Sequence, residues 1–149
     1  MVVIAQFIKG WKCGEQSVLP NLPNIQLLYA KPVGNKFIKD MNKEEKNQTL
    51  ISQNKCLIKA LELVDKGQCD LLILDEIIDT RQLDMIDDKL FNKAIYEKPE
   101  SLELVITGHN PDEQLLKRAD YVTEMIKHNT LMMKAYVQEK VLSFRRKIR

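Results

Sequence analysis

The sequence lacks several features that would each assign it to a narrow class of proteins. Its three cysteines, Cys13, Cys56 and Cys69, form no C-x-x-C pair and no cluster with histidine, so neither a disulfide framework nor a structural zinc site is indicated. No apolar run approaches the roughly 20 residues that span a bilayer, and the first residues lack the basic start of a secretory signal. The net charge of +2 is too small to indicate nucleic acid as a partner. These absences predict a cytoplasmic protein with reduced thiols, no membrane association and no nucleic-acid partner.

The rest of the composition is typical of a single globular domain. A chain of 149 residues can bury roughly 68–70% of the surface that its unfolded form exposes. The proportions of 44% hydrophobic and 30% charged residues are ordinary for such a domain. We therefore expect residues 1–149 to form one domain.

Short apolar runs alternate along the chain with segments of helical periodicity. The runs are rich in β-branched residues, which favours strands, and apolar residues at helical spacing favour helices between them. Strands are predicted at 2–8, 25–29, 70–76, 102–107 and 121–126, and helices at 15–19, 42–66, 84–96, from Asn110-Pro111 onward, and from Asn129 or Thr130 to about Phe144. Such alternation predicts an α/β fold with a mostly parallel sheet of about five strands flanked by helices.

The strand predicted at 70–76 ends in two adjacent carboxylates, Asp75 and Glu76. The C-terminal ends of parallel strands are where α/β sheets bind ligands, and Mg²⁺ prefers a few carboxylates together with phosphate oxygens. The alternative is that both acids are solvated or cap a following turn. The phosphate-binding loop that usually accompanies such a strand, G-x-x-x-x-G-K-[ST], is matched nowhere in the sequence.

Two other predicted strand ends carry residues suited to an anionic or polar ligand. Lys9 could reach an anion, and Gly10 could allow a close approach of the backbone; the alternative is an ordinary surface lysine. Thr107 and Gly108 offer a hydroxyl and an exposed N–H, or else form a plain turn. His109 is expected to be a loop residue, and two isolated histidines do not make a metal site.

Several motifs in chain order resemble one family. They are V-V-I-A-Q-F-I-K-G-W at 2–11 with Gly14-Glu15, D-L-L-I-L-D-E-I at 70–77, V-I-T-G at 105–108, A-D-Y-V-T-E-M at 119–125, and Lys127-His128 with Lys134-Ala135. Each motif is weak alone, but their order and spacing together are specific. The chain resembles the ATP:corrinoid adenosyltransferases of the cobalamin-salvage type, which transfer the 5′-deoxyadenosyl group of ATP to cob(I)alamin.

The resemblance implies a phosphate-loop NTPase (RecA-like) fold in which the first βα unit is missing. In the family that unit is a strand, a G-x-G-K-G-K-T-T loop and a helix, and the family's G-F-T-W segment is not matched at 33–38. Because the loop-bearing strand lies inside the family's sheet, its loss implies a central gap or an exposed edge. We therefore expect a homodimer or a partner chain to cover it.

The resemblance also implies substrates and residue roles. ATP and cobalamin would be substrates and Mg²⁺ a cofactor. Two functions stay open. The first is an adenosyltransferase. The second is a non-catalytic paralogue or subunit that binds nucleotide or corrinoid and whose phosphate loop is supplied by a partner or has been lost. The implied roles are metal binding by Asp75 and Glu76, catalysis by Glu76, nucleotide binding by Lys9, Gly10, Thr107, Gly108, Lys127 and His128, and corrinoid binding by Trp11 and Glu15.

Overall fold

In the computed structural model, which describes residues 1–10, 13–126 and 139–144, one mixed β-sheet organises the chain. The described strands follow the order β2-β1-β3-β4-β6-β5 across this sheet. Strands β1 to β4 run parallel, whereas β6 runs antiparallel to both β4 and β5. The strands are β1 (Val2–Gln6), β2 (Ile25–Tyr29), β3 (Leu71–Asp75), β4 (Glu103–His109), β5 (Tyr121–Met125) and β6 (Glu139–Phe144).

The helices lie between the strands along the chain. The longest, α2, starts at a capping box in which Asn42 and Glu45 satisfy each other's backbone N–H groups, as helix starts commonly do. It is followed by Gly67 with φ 68°, a left-handed conformation that costs glycine little. The helices are α1 (Glu15–Val18), α2 (Lys43–Asp65), α3 (Ile77–Gln82), α4 (Asp88–Tyr96) and α5 (Glu113–Arg118), and short 3₁₀ turns lie at Leu19–Asn21, Val33–Asn35 and Ile38–Asp40.

The core holds the central strands β1, β3 and β4 between helices. Each strand contributes alternate side chains that are fully buried, and α2 and α4 supply the apolar residues that join the same cluster. Burying one large apolar side chain contributes about 1.5–3 kcal/mol, so this part of the sheet is the most firmly held. The fully buried members include Val3, Ala5, Leu72, Leu74, Leu104, Ile106, Leu57, Phe91 and Ile95.

The structure confirms the predicted fold class. A mostly parallel centre of four strands is flanked by helices, as in Rossmann-like and phosphate-loop folds. Of the two expected alternatives, a central gap or an exposed edge, the gap is not seen, because the described strands form one continuous sheet. No helix within the described residues is long and apolar enough to cross a membrane.

Three predicted helices were wrong in type or bounds, and one helix was missed. Residues 139–144 form strand β6 and not the end of a helix; the rest of that predicted helix, at 129–138, lies outside the described residues. Helix α5 begins after Asp112, whose side chain accepts a hydrogen bond from the Leu115 N–H, and not at Asn110-Pro111. The predicted helix at 84–96 is shorter, because Asp87 caps it, and the short helix α3 was not predicted.

Candidate active site

Asp75 is the centre of a polar cluster where β1, β3 and β4 end. Its Oδ2 accepts hydrogen bonds from Lys9 Nζ at 2.9 Å and from Gln6 Nε2 at 3.2 Å, and its Oδ1 accepts one from Thr107 Oγ1 at 3.0 Å. The side chains of Lys9 and Asp75 are only 21% and 23% exposed. The parallel register brings these groups together, since Gln6 lies beside Asp75 in neighbouring strands. Asp75 is therefore a hydrogen-bonded, half-buried carboxylate and not a solvated acid.

Thr107 also fixes the turn that follows Asp75. Its hydroxyl oxygen accepts a hydrogen bond from the Glu76 N–H at 2.9 Å while its hydroxyl donates to Asp75. Glu76 adopts φ 62° and ψ 21°, a left-handed conformation that is uncommon outside glycine and is often held in place at functional sites. This turn takes the chain from β3 directly into α3. Thr107 thus joins Asp75 and Glu76 into one unit.

Lys9 bridges the Asp75 cluster to α1. Its Nζ lies 3.1 Å from Glu15 Oε1, which also accepts from Gln6 Nε2 at 3.4 Å. Burial, the largest single effect, acts to lower the pKa of Lys9, but hydrogen bonds and charges from Asp75 and Glu15 raise that pKa well above its ordinary value. The pKa of the Glu15 carboxyl is lowered, most strongly by a hydrogen bond from the backbone N–H of Glu15 and next by one from Lys9. Lys9 therefore stays cationic and Glu15 anionic at neutral pH.

The hydrogen bonds that the Asp75 carboxylate already accepts limit how it can contact Mg²⁺. A carboxylate offers about four acceptor positions, and Lys9, Gln6 and Thr107 occupy one on Oδ1 and two on Oδ2. The described residues contain no group of three or more His, Cys, Asp or Glu side chains arranged to hold a metal. Since Mg²⁺ keeps several of its waters when bound to protein, Asp75 could contact a hydrated Mg²⁺ through the acceptor position that remains on Oδ1.

A cavity of about 480 Å³ opens beside the cluster. Its walls are largely apolar, and Lys36 and Lys39 also line it. Lys9 and Glu76 line it too, so the cavity adjoins the Asp75 cluster directly. The other described residues that line it are Ile8, Gly10, Cys13, Pro32, Phe37, Ile38 and Leu83.

The two predicted site glycines differ in what their surroundings require. At Gly108, φ is 145° and an added Cβ would lie 2.5 Å from Asp79 Oδ2 and 2.7 Å from Ile78 Cβ. Glycine is therefore needed there for β4 to pack on α3. At Gly10 no heavy atom lies within 4 Å of an added Cβ. Its backbone faces the cavity, but packing does not require glycine.

The structure places the remaining predicted residues unevenly. Glu15 lies in the Asp75 cluster and does not line the cavity. Trp11, Lys127 and His128 lie outside the described residues, although Cys13, two positions after Trp11, lines the cavity.

Three polar residues of this region were not predicted from the sequence. Gln6 is 3% exposed inside an apolar strand, and a buried amide in such a run was the available signal. His109 is the last residue of β4, so the expectation of a loop residue was wrong. Asp79 of α3 binds both the His109 backbone N–H and its ring.

The fold and this cluster define an α/β protein with a polar cluster at the C-terminal ends of its parallel strands, where such sheets commonly bind ligands. Residues 1–142 match the family model described as ATP:corrinoid adenosyltransferase BtuR/CobO/CobP. The chain is 31% identical over 130 residues to a corrinoid adenosyltransferase of Sinorhizobium sp, an alignment that covers 84% of this chain and 59% of that relative. This chain belongs to the ATP:corrinoid adenosyltransferase family. It spans less than two thirds of the length of the relative that it matches.

Proposed function

We propose that the chain acts in the transfer of the 5′-deoxyadenosyl group of ATP to a corrinoid. The observation that carries the proposal is the convergence of Lys9, Asp75, Glu76 and Thr107 at one sheet edge in a chain of this family. In this reaction the reduced cobalt attacks the ribose C5′, the C5′–O bond breaks, and the triphosphate leaves with the bonding electrons. The protein's task is to position both substrates and to stabilise the charge of the leaving group.

Within this proposal the Asp75 cluster binds the metal–phosphate end of the nucleotide. Asp75, through the open acceptor position on Oδ1, and Glu76 are the carboxylates that would hold a hydrated Mg²⁺. Bound Mg²⁺ supplies positive charge to the phosphate oxygens. Lys9 stays cationic and holds Asp75 in place, while Thr107 holds Asp75 and the Glu76 N–H at the end of β4; Thr107 and Gly108 remain predicted nucleotide contacts. Lys127 and His128 remain predicted nucleotide contacts.

The cavity next to the cluster is proposed to receive part of the corrinoid. Its apolar walls suit a large, mostly apolar ring system, and Lys39 suits polar or anionic substituents, whereas Lys36 is paired with Glu45. Because Lys9 and Glu76 also line this cavity, a ligand bound there would lie next to the nucleotide end of the site. Trp11 and Glu15 remain the predicted corrinoid contacts, Trp11 from the sequence alone.

A binding subunit without transferase activity is the second candidate function. It is favoured by the absence of any G-x-x-x-x-G-K-[ST] match in the 149 residues, because these residues then lack the loop whose backbone N–H groups usually hold the phosphates. The exposed apolar side chains of β5 support a dimer or a complex, since Tyr121, Val122 and Met125 are 46%, 46% and 59% exposed there. We propose that either activity takes place in the cytoplasm.

The two candidates are separated by measuring binding and turnover on the same protein. The purified chain is titrated calorimetrically with MgATP and, separately, with cobalamin, and then assayed spectroscopically for adenosyl transfer to reduced cobalamin. We expect MgATP to bind and Asp75→Asn to weaken it about tenfold, whereas Glu113→Gln on the exposed face of α5 should change nothing. Binding without transfer would favour the subunit, and no MgATP binding at millimolar nucleotide would rule out autonomous transfer.

A further inference from the structure

The Asp79–His109 pair stands at the same sheet edge as the Asp75 cluster but takes no part in it. One oxygen of Asp79, Oδ2, accepts the backbone N–H of His109 at 3.0 Å, and the other, Oδ1, lies 2.8 Å from His109 Nδ1. The side chains of Asp79 and His109 are 20% and 32% exposed. One carboxylate therefore fixes both the end of β4 and the orientation of the imidazole ring.

This contact determines which ring nitrogen can meet a ligand. A carboxylate is an acceptor, so Nδ1 carries the proton that it donates to Asp79. Nε2 has no hydrogen-bond partner among the residues that the structure describes. When the ring is protonated, Nε2–H becomes a charge-assisted donor, a type of hydrogen bond roughly twice as strong as one between neutral groups.

The position of His109 in β4 connects this donor to the nucleotide end of the site. His109 and Thr107 are two residues apart in the strand, so their Cα atoms lie about 7 Å apart. Thr107 contacts Asp75, and an extended polyphosphate can bridge that interval. The neighbouring Arg81 on α3 is already engaged by Asp88 and Asp112.

Packing of β4 on α3 keeps the pair in place. Gly108 lies so close to α3 that an added Cβ would meet Asp79 Oδ2 at 2.5 Å. The neighbouring Gln82 donates from Nε2 to the backbone oxygens of His109 and Asn110 at 2.8 and 2.9 Å. The strand end is thus held from both sides of His109, and its ring has a defined position before any ligand arrives.

We propose that the doubly protonated ring of His109 donates a hydrogen bond from Nε2–H to a phosphate oxygen of the nucleotide bound at Asp75, with Asp79 as the residue that positions the ring. This inference rests on the proposed function and names one more contact of the same site. The competing interpretation is that the pair only fastens β4 to α3. The two differ in whether Nε2 touches a ligand.

Paired substitutions separate the two ring nitrogens. His109→Asn keeps an amide N–H near the position of Nδ1, so the bond to Asp79 is retained, but it removes the Nε2 group. His109→Gln places an amide N–H near Nε2 and gives up the bond to Asp79. The probes are inorganic tripolyphosphate, MgATP and adenosine, and the readouts are calorimetric affinity, the midpoint of urea unfolding, and ¹⁵N shifts of the histidine rings in the full chain.

We expect His109→Asn to weaken the binding of tripolyphosphate and of MgATP about tenfold or more, in keeping with the loss of a hydrogen bond to a charged group. Adenosine affinity and the urea midpoint should stay the same, and His109→Gln should recover most of the lost affinity. In the wild type, tripolyphosphate should shift the ¹⁵N signal of His109 Nε2, which is assigned from its absence in His109→Asn. Asp79→Asn should change the ¹⁵N shifts that report the tautomer of the His109 ring, and it should weaken the binding of tripolyphosphate.

Two results would overturn the inference. One is an unchanged affinity of His109→Asn for tripolyphosphate, and the other is a ¹⁵N shift of His109 Nε2 in the wild type that saturating tripolyphosphate does not change. If MgATP still responds to Asp75→Asn in that case, the proposed function stands and only the His109 contact is lost. If the His109 contact is found but no adenosyl transfer occurs, the inference stands and the transferase function falls.

Discussion

The Lys9–Asp75 ion pair provides a quantitative test of how the site is built. Exposed ion pairs give coupling energies of about 0.2–1 kcal/mol, whereas residues in contact within one hydrogen-bond or salt-bridge network can give up to about 3 kcal/mol. With Nζ and Oδ2 2.9 Å apart and side chains 21% and 23% exposed, this pair lies between those limits. From a double-mutant cycle of Lys9→Met and Asp75→Asn we expect a coupling energy of about 1.5–2 kcal/mol.

The assay is urea unfolding followed by circular dichroism on the wild type, both single variants and the double variant. The second contact of Lys9, with Glu15, is lost in both arms that carry Lys9→Met, so it largely cancels in the coupling energy. The matched control is Lys117 and Glu113 on α5, which lie 2.8 Å apart with side chains 73% and 79% exposed. That pair should give only about 0.3–0.5 kcal/mol. Equal coupling energies for the two pairs would refute the argument that burial strengthens Lys9–Asp75.

Three further predictions concern single residues. Gly108→Ala should lower the free energy of unfolding by about 2 kcal/mol or more, since it combines positive φ with a clash against Asp79; Gly10→Ala is the matched control and should change it by less than about 1 kcal/mol. Burial raises the pKa of Cys56 to about 12, so iodoacetamide at pH 8 should leave this thiol unmodified in the native protein and alkylate it in urea; rapid native labelling would contradict its burial. The pKa of Glu15 is lowered from 4.5, so its stabilising effect is complete above pH 4.5 and is lost as pH falls through the lowered value. Unfolding curves of wild type and Glu15→Gln should therefore converge in acid, and a constant difference down to pH 2 would contradict this assignment.

Much of the fold could be predicted because its signals are local. The strands β1 to β5 lie within apolar runs, and α2 carries both a capping box at Asn42 and a glycine at its C-terminal end. The short helix α3 has only six residues, too few to show a helical period. It begins with a left-handed Glu76, a backbone conformation that no simple residue preference announces.

Strand β6 could not be predicted because its conformation depends on distant partners. The segment E-K-V-L-S-F at 139–144 is short enough to suit a helix or a strand. Its pairing with β4 and β5 decides between them, and that pairing joins segments far apart in sequence. Local propensity is outweighed here by the backbone hydrogen bonds that two neighbouring strands offer.

The candidate site shows the same division between local and distant information. Asp75, Lys9 and Thr107 could be predicted because strand ends in a parallel sheet meet at one edge. The Asp79–His109 contact could not, since the two residues are 30 positions apart and meet only because α3 packs against the end of β4. Gln6 lies between these cases: its burial was visible in the pattern, but its partner Asp75 was not.

The strand order has a consequence for how the sheet assembles. Among the described strands β5 pairs only with β6, and β6 in turn pairs with β4. During synthesis β5 therefore leaves the ribosome before the strand that can attach it to the sheet, and it must wait for residues 139–144. We expect β5 and β6 to gain and lose protection from hydrogen exchange together, at a lower free energy than β1 and β3. Slower exchange in β5 than in β3 would show that β5 is held by something other than β6.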